Sequence, residues 1–178
     1  MKKSLRKYLF LACIINIFVT GLAFSQNDDW SSYGKDPGGG HYSKAIEITP
    51  ENVKNLRQVW VHRSGDFHEG GNWREGGLGS TLQTSLGVTP ILVDETLFYC
   101  TPYNRVFALN SETGEQKWVF DPKLEIEGMA LLHCRGVSSW KDKTKTESEE
   151  CSHRIIAITI DAELFSIDGT NGTLCRDF

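Results

Sequence analysis

The feature that most constrains the fold is an internal repeat with an offset of 58 residues. The run ALNSETGEQKW, which begins at Ala108, aligns with SIDGTNGTLCR, which begins at Ser166. Trp118 and Trp60 are separated by the same offset. Self-similarity at a fixed period indicates that the chain stacks copies of one small unit, so the repeat decides the architecture.

Each copy of the repeat predicts a β-hairpin. Asn110 and Asp168 are residue types that cap turns, and the glycines at 114 and 172 can take a positive φ. Apolar runs precede the hairpins at residues 88–93, 96–100 and 155–160. Short strands therefore follow one another about every ten residues, with no convincing amphipathic helix after the first 25 residues.

A repeat of four short antiparallel strands with regularly placed Trp is typical of a β-propeller blade, in which Trp packs between neighbouring blades. The alternative is a β-sandwich whose hairpins resemble each other by chance. We predict an all-β propeller. The 153 residues that follow the first 25 supply about two blades and a lone strand near Trp60. Because a blade cannot bury both of its faces alone, we expect an incomplete ring.

The first 25 residues have the order of a secretory signal peptide. Four basic residues lie between positions 2 and 7, an apolar run covers 8–24, and Ala23 and Ser25 are small enough for a cleavage site. We expect cleavage after Ser25, which leaves an exported or periplasmic domain over residues 26–178. The alternative is a retained membrane anchor through residues 8–24. Without the leader the chain has 15 basic and 23 acidic residues, a net charge of −8, which argues against nucleic-acid binding.

Four cysteines remain after the leader, at positions 100, 134, 151 and 175. In an oxidising compartment they favour disulfides, and they have neither C-x-x-C spacing nor a Cys/His cluster, which argues against structural zinc. Residues 141–150 are polar and predict an exposed loop. A bridge between Cys134 and Cys151 that closes this loop is the preferred pairing, and free buried thiols are the alternative.

Two other features predict no chemistry. The histidines at 62, 68, 133 and 153 are not spaced as a metal set, so we assign them to surface or strand packing. The glycine-rich stretch over 65–79 has no Gly-Lys-Ser/Thr ending and no following helix, so it does not predict a phosphate loop. We interpret it as an insertion at the rim of the propeller.

A series of ordered motifs runs from Trp30 to the last residue. They are WSSYGKDPGGGHYS at 30–43, ITPENVKNL at 48–56, Trp60, VTP at 88–90, CTPYNRV at 100–106, FDP at 120–122 and CRGV at 134–137. Together they resemble the dehydrogenases that depend on pyrroloquinoline quinone (PQQ), most closely the branch of membrane glucose and quinate dehydrogenases.

This resemblance implies an eight-bladed propeller with PQQ near its axis and Ca²⁺ beside the quinone. An Asp base would accept the hydroxyl proton of a sugar or polyol while hydride leaves its carbon, and the electrons would pass to a quinone acceptor. The alcohol-oxidising branch has adjacent cysteines, which are absent here, so the sugar or polyol branch is favoured. In the family the base and the metal ligands belong to later blades than this chain contains. The resemblance therefore implies no catalytic residue and no metal ligand among these 178 residues, and an inactive fragment.

The one site residue that the resemblance implies is Arg135, since the Arg of the Cys-Arg-Gly segment reaches the cofactor in the family. A guanidinium suits a quinone oxygen or a carboxylate, whereas an isolated Arg more often forms a surface ion pair. One departure is Gly87, which stands where the family usually has an acidic residue before Val-Thr-Pro. The competing function is a non-catalytic secreted propeller that serves as a protein-interaction scaffold.

Overall fold

The computed structural model describes residues 29–36, 38–67, 83–126, 129 and 131–178. The predicted signal peptide, the alternative anchor, His68 and most of the glycine-rich stretch lie outside these ranges. Within them the chain is all-β, as predicted, and its one helical element is a 3₁₀ turn at Val53–Asn55. No helix in these ranges is long and apolar enough to cross a bilayer.

The described part of the chain contains nine short strands. They are β1 (Gln83–Ser85), β2 (Ile91–Val93), β3 (Thr96–Cys100), β4 (Val106–Asn110), β5 (Gln116–Phe120), β6 (Leu131–His133), β7 (Ser138–Lys141), β8 (His153–Ile158) and β9 (Leu164–Asp168).

The first blade is the antiparallel four-stranded sheet β2-β3-β4-β5. A two-residue turn joins β2 to β3, and both of its residues, Asp94 and Glu95, take the left-handed conformation, with φ of 45° and 58°. Such turns match the right-handed twist of antiparallel strands. Trp30 adds a bridge to the edge strand through Leu92. The predicted four-strand repeat is therefore confirmed for this copy.

The second blade is the antiparallel sheet β7-β8-β9, and a single bridge between Ile167 and Leu174 marks the position of a fourth strand. Strands β1 and β6 form a separate parallel pair. The repeat is thus regular in its first three strands and weak in its last.

Tryptophan docking explains the 58-residue offset. The indole Nε1 of Trp118 donates to the carbonyl of Gly169 at 3.1 Å, and a Cβ added at Gly172 would lie 2.8 Å from the Trp118 ring. One offset earlier, Trp60 donates to the carbonyl of Ser111 at 3.2 Å and packs on Gly114 in the same way. The prediction that Trp packs between repeat units is confirmed.

The lone strand predicted near Trp60 stays a prediction. Residues 56–67 take part in no β-sheet within the described structure. The segment is instead held by its side chains: Trp60 on Gly114, and Asp66 on Arg105. The side chain of Trp60 thus occupies its repeat position although the backbone around it pairs with no described strand.

The main core lies between the two blades. Side chains of β2, β3 and β4 meet those of β8 and β9, and Phe120 packs against Phe165 with ring centroids 5.2 Å apart. Because side chains alternate along a strand, the opposite face of the second blade carries Trp140, Ile158 and Leu164, which are 50%, 58% and 54% exposed. We call these three residues the outer face of the second blade.

The disulfide prediction is wrong in its pairing. The bonds are Cys100–Cys134 and Cys151–Cys175, with Cα atoms 5.8 Å and 5.9 Å apart. The loop after β7 needs no bridge to Cys134, because the amide of Asp142 donates to the carbonyl of Ser152 at 2.7 Å and closes it. Cys151 is thereby placed beside Cys175, while Cys134 faces the end of β3.

Candidate functional site

Arg135 lies two residues after the end of β6, beside the segment that connects β1 to β2. Strand β6 pairs in parallel with β1, and the pairing aligns Ser85 with His133. Beyond this pair the two segments stay together, because the amide of Thr89 donates to the carbonyl of Arg135 at 3.0 Å. The motifs at 88–90 and 134–137, which carry part of the family resemblance, are therefore neighbours in space.

The side chain of Arg135 is exposed. Its guanidinium makes no hydrogen bond or ion pair with any residue that the structure describes, although its backbone is hydrogen-bonded. At Gly87, two residues before Thr89, an added Cβ would meet nothing within 4 Å. The space around this position is open. An unpaired guanidinium with five donors at such a place suits an anionic, oxygen-rich group such as a carboxylate or a quinone oxygen.

The turn between β3 and β4 also contacts residues 133–135, which we call the Arg135 segment. Cys100, at the end of β3, forms the disulfide to Cys134. Asn104, in the turn, donates from Nδ2 to the carbonyl of His133 at 3.3 Å. Sequence analysis missed both contacts, although both residues lie in the quoted motif at 100–106. The available signal was an Asn next to Arg in a Pro-containing turn, a position where Asn tolerates a left-handed backbone.

A second polar cluster fixes residues 60–67 to the first blade. Arg105 donates to both carboxylate oxygens of Asp66, at 3.1 Å from Nε, and to the carbonyl of Ser64 at 2.6 Å. The Asp66 side chain is 2% exposed. Breaking a buried, paired carboxylate is costly, so this cluster has a structural role that needs no ligand.

The ring of His62 belongs to the same cluster. Its Nδ1 lies 2.6 Å from the hydroxyl of Tyr99, and the ring packs edge-on against Phe107. Burial raises the pKa of Tyr99 to about 12, and burial also lowers the pKa of His62. The Tyr99 hydroxyl therefore stays protonated near neutral pH, and burial favours the neutral form of the His62 ring.

The other described histidines of the sequence analysis also lie apart from each other. His153 contacts Ser139 at 2.9 Å from Nε2, packs edge-on against Phe98, and has its pKa lowered mainly by burial. His133 lies in β6, and its Nδ1 is buried without a hydrogen-bond partner among the described atoms. They do not form a metal set.

One group in the described ranges has the close spacing of metal ligands: Cys151, Cys175 and Asp177. Its two sulfurs are joined in a disulfide, and Asp177 accepts from Arg154 at 2.6 Å. A disulfide has no thiolate to bind a metal, so this cluster closes the second blade and does not hold an ion.

Comparisons with known proteins agree with this geometry. Residues 30–178 match the family model for the PQQ glucose/ethanol/alcohol dehydrogenase β-propeller domain. The quinoprotein glucose dehydrogenase of Escherichia coli K12 is 37% identical over 157 residues, which cover 85% of this chain and 19% of that protein. The quinate/shikimate dehydrogenase (quinone) of Acinetobacter baylyi is 30% identical over 169 residues, covering 84% of this chain and 19% of that protein.

Among solved structures, the quinohemoprotein alcohol dehydrogenase of Pseudomonas putida HK5 superimposes with a TM-score of 0.62 at 22% identity, over 83% of this chain and 18% of that chain. This likeness supports the propeller fold. The chain spans about a fifth of the length of these curated relatives. Because the family model covers residues 30–178, which include both blades and the Arg135 segment, the chain belongs to the PQQ-dependent dehydrogenase β-propeller family.

Proposed function

We propose that the chain forms the N-terminal part of a quinoprotein dehydrogenase that oxidises a sugar or polyol and passes the electrons to a quinone. We call the proposed protein, in which further blades follow these residues, the full-length protein. The observation that carries the proposal is the exposed guanidinium of Arg135, which pairs with no residue that the structure describes, on a backbone held at Thr89. The relatives named for glucose, glycerol and quinate/shikimate support the substrate class.

The residues at this position fit the cofactor. PQQ is an anionic quinone that, when bound, supplies the two-electron oxidant for the alcohol carbon of the substrate. Arg135 would bind one of its oxygens and orient it, since a planar guanidinium donates two parallel hydrogen bonds. Gly87 leaves the approach open where the family usually has an acid. The Asp base and the Ca²⁺ ligands would come from blades beyond this chain.

Export is the second part of the proposal. The basic, apolar and small-residue order of residues 1–25 supports cleavage after Ser25. N-terminal sequencing of exported protein should then begin at Gln26. A mature protein that still begins at Met1 would favour the anchor through residues 8–24.

A PQQ titration of the full-length apoprotein tests the function, with Arg135→Ala and Arg135→Lys beside the wild type. Loss of a charge-assisted hydrogen bond should cost about 1.5 to 3 kcal/mol, which is roughly a tenfold to hundredfold loss of affinity. The Lys variant should recover only part of this, because an ammonium lacks the planar fork. Binding curves that superimpose for all three proteins would reduce Arg135 to an ordinary surface residue.

The same titration separates the enzyme from the scaffold. A propeller that serves only as an interaction scaffold would show no saturable PQQ binding in the wild type. Saturable binding that Arg135→Ala weakens is expected only when the cofactor contacts this residue.

A further inference from the structure

We propose that Asn104 is a positioning residue for Arg135. Its carboxamide fixes the backbone from which the guanidinium extends, and so contributes to PQQ affinity without touching the cofactor. The inference rests on the proposed function of Arg135 and extends it to a residue in another strand connection.

Asn104 is placed to act on two parts of the fold at once. The residue is 4% exposed and has a φ of 57°, a left-handed conformation that Asn tolerates better than most residues. Its Nδ2 donates to the carbonyl of His133 at 3.3 Å, and its Oδ1 accepts from the amide of Ile160 at 2.8 Å. One carboxamide therefore connects the end of β6 to the connection after β8.

The backbone before the Arg135 side chain is held at three consecutive residues. Asn104 holds the carbonyl of His133, the disulfide to Cys100 holds Cys134, and the amide of Thr89 holds the carbonyl of Arg135 itself. By contrast, no residue in the described ranges holds the guanidinium. A side chain with several rotatable bonds binds a ligand more tightly when its backbone is fixed beforehand, because less freedom is lost on binding.

Two of these three contacts come from one short turn. The amide of Thr101 donates to the carbonyl of Arg105 at 2.9 Å, and the amide of Asn104 donates to the carbonyl of Thr101 at 2.8 Å. The turn thus keeps Cys100 and Asn104 at a fixed separation, matched to Cys134 and His133. This arrangement transmits the rigidity of the first blade to the Arg135 segment.

The substitution Asn104→Asp isolates the contact to His133. Aspartate also tolerates the left-handed conformation and keeps an oxygen for the amide of Ile160, but it replaces the Nδ2 donor with an acceptor that faces another acceptor. Asn110→Asp is the matched control. This substitution adds the same charge. Among the described contacts, the side chain of Asn110 uses its Oδ1, which accepts from the amides of Glu112 and Thr113, and Asp keeps that oxygen.

The test is a double-mutant cycle in the full-length apoprotein, with PQQ dissociation constants from equilibrium dialysis and melting temperatures measured in parallel. Asn104→Asp should weaken PQQ binding by about threefold to tenfold, the effect of one hydrogen bond. In the Arg135→Ala background the same change should alter affinity by less than about twofold, because the side chain that it positions is gone. Asn110→Asp should leave the dissociation constant unchanged.

The outcomes distinguish the two levels of the proposal. If Arg135→Ala leaves PQQ affinity unchanged, the proposed role of Arg135 fails and the positioning role fails with it. If Arg135→Ala weakens binding but Asn104→Asp has no effect, or the same effect in both backgrounds, Asn104 is structural only. Should the Asp variant not fold, Asn104→Gly keeps the left-handed turn and removes the same donor, and the same coupling is expected of it.

Discussion

The two blades differ most in how their faces are covered. The first blade packs against the second on one side and carries Trp60 with the 60–67 segment on the other. On the side of the second blade that faces away from the first, Arg154, Ser166 and Asp168 are buried, whereas its outer face (Trp140, Ile158 and Leu164) is at least half exposed. Both sheets are antiparallel, and they differ at the last strand, which is complete in the first blade and a single bridge in the second.

A docked Trp needs the turn of a neighbouring unit to pack on. Trp118 serves the first blade by packing on the turn of the second. One offset beyond Trp118 stands Arg176, and the residue before it, Cys175, is held in a disulfide. At this position the second blade is therefore held by a disulfide within itself, whereas the first blade is held by Trp118 packed on its neighbour.

The largest expected effect comes from Trp118. In the full-length protein, Trp118→Ala should lower the free energy of unfolding by about 3 to 5 kcal/mol, because it empties a buried contact between blades. Trp60→Ala should cost about half as much, since Trp60 is only partly buried. Urea denaturation measures both. The matched variant Trp118→Phe keeps the ring contact and should lose about 1 kcal/mol with the hydrogen bond to Gly169. Equal losses at Trp118 and Trp60 would contradict the comparison.

The next effect separates the two disulfides. Replacing Cys151 and Cys175 together by Ser should lower the free energy of unfolding by about 2 to 4 kcal/mol and leave PQQ affinity unchanged. Replacing Cys100 and Cys134 together should lower stability by a similar amount and also weaken PQQ binding, because Cys134 precedes Arg135. Chemical denaturation and PQQ titration of both double variants decide this. An unchanged PQQ affinity in the second pair would show that its disulfide does not position Arg135.

The smallest effect is a pH dependence that differs between the blades. Burial lowers the pKa of His153 in the second blade and of His62 beside the first. The unfolded chain then takes up protons near the ordinary histidine pKa of about 6.5 while the folded chain does not, so stability falls as pH falls through this range. His153→Gln should flatten the stability profile between about pH 7 and 5 more than His62→Gln, because His153 is the more buried ring. Identical profiles for both variants would contradict this assignment.

The sequence predicted the features that recur at the repeat offset. The contacts of Trp60 with Gly114 and of Trp118 with Gly172 repeat along the chain, so the alignment that defines the repeat also predicts them. The contacts that support Arg135 do not recur. Asn104 reaches residues 29 and 56 positions away, and no local pattern encodes such distances. The disulfides were missed for the same reason, because loop polarity indicates exposure and does not indicate which sulfurs meet.

The outer face of the second blade supports the proposal that these residues work only within a larger propeller. A sheet face with Trp140, Ile158 and Leu164 exposed favours burial against another blade, and the curated relatives are about five times as long as the matched segment. We therefore expect the 178-residue chain made alone to lack cooperative thermal unfolding.

Dye-linked oxidation of glucose and glycerol, with PQQ and Ca²⁺ supplied, tests this proposal. We expect turnover by the full-length protein on at least one of these substrates and none by the 178-residue chain. Turnover by the 178-residue chain, accompanied by a cooperative thermal transition, would contradict it.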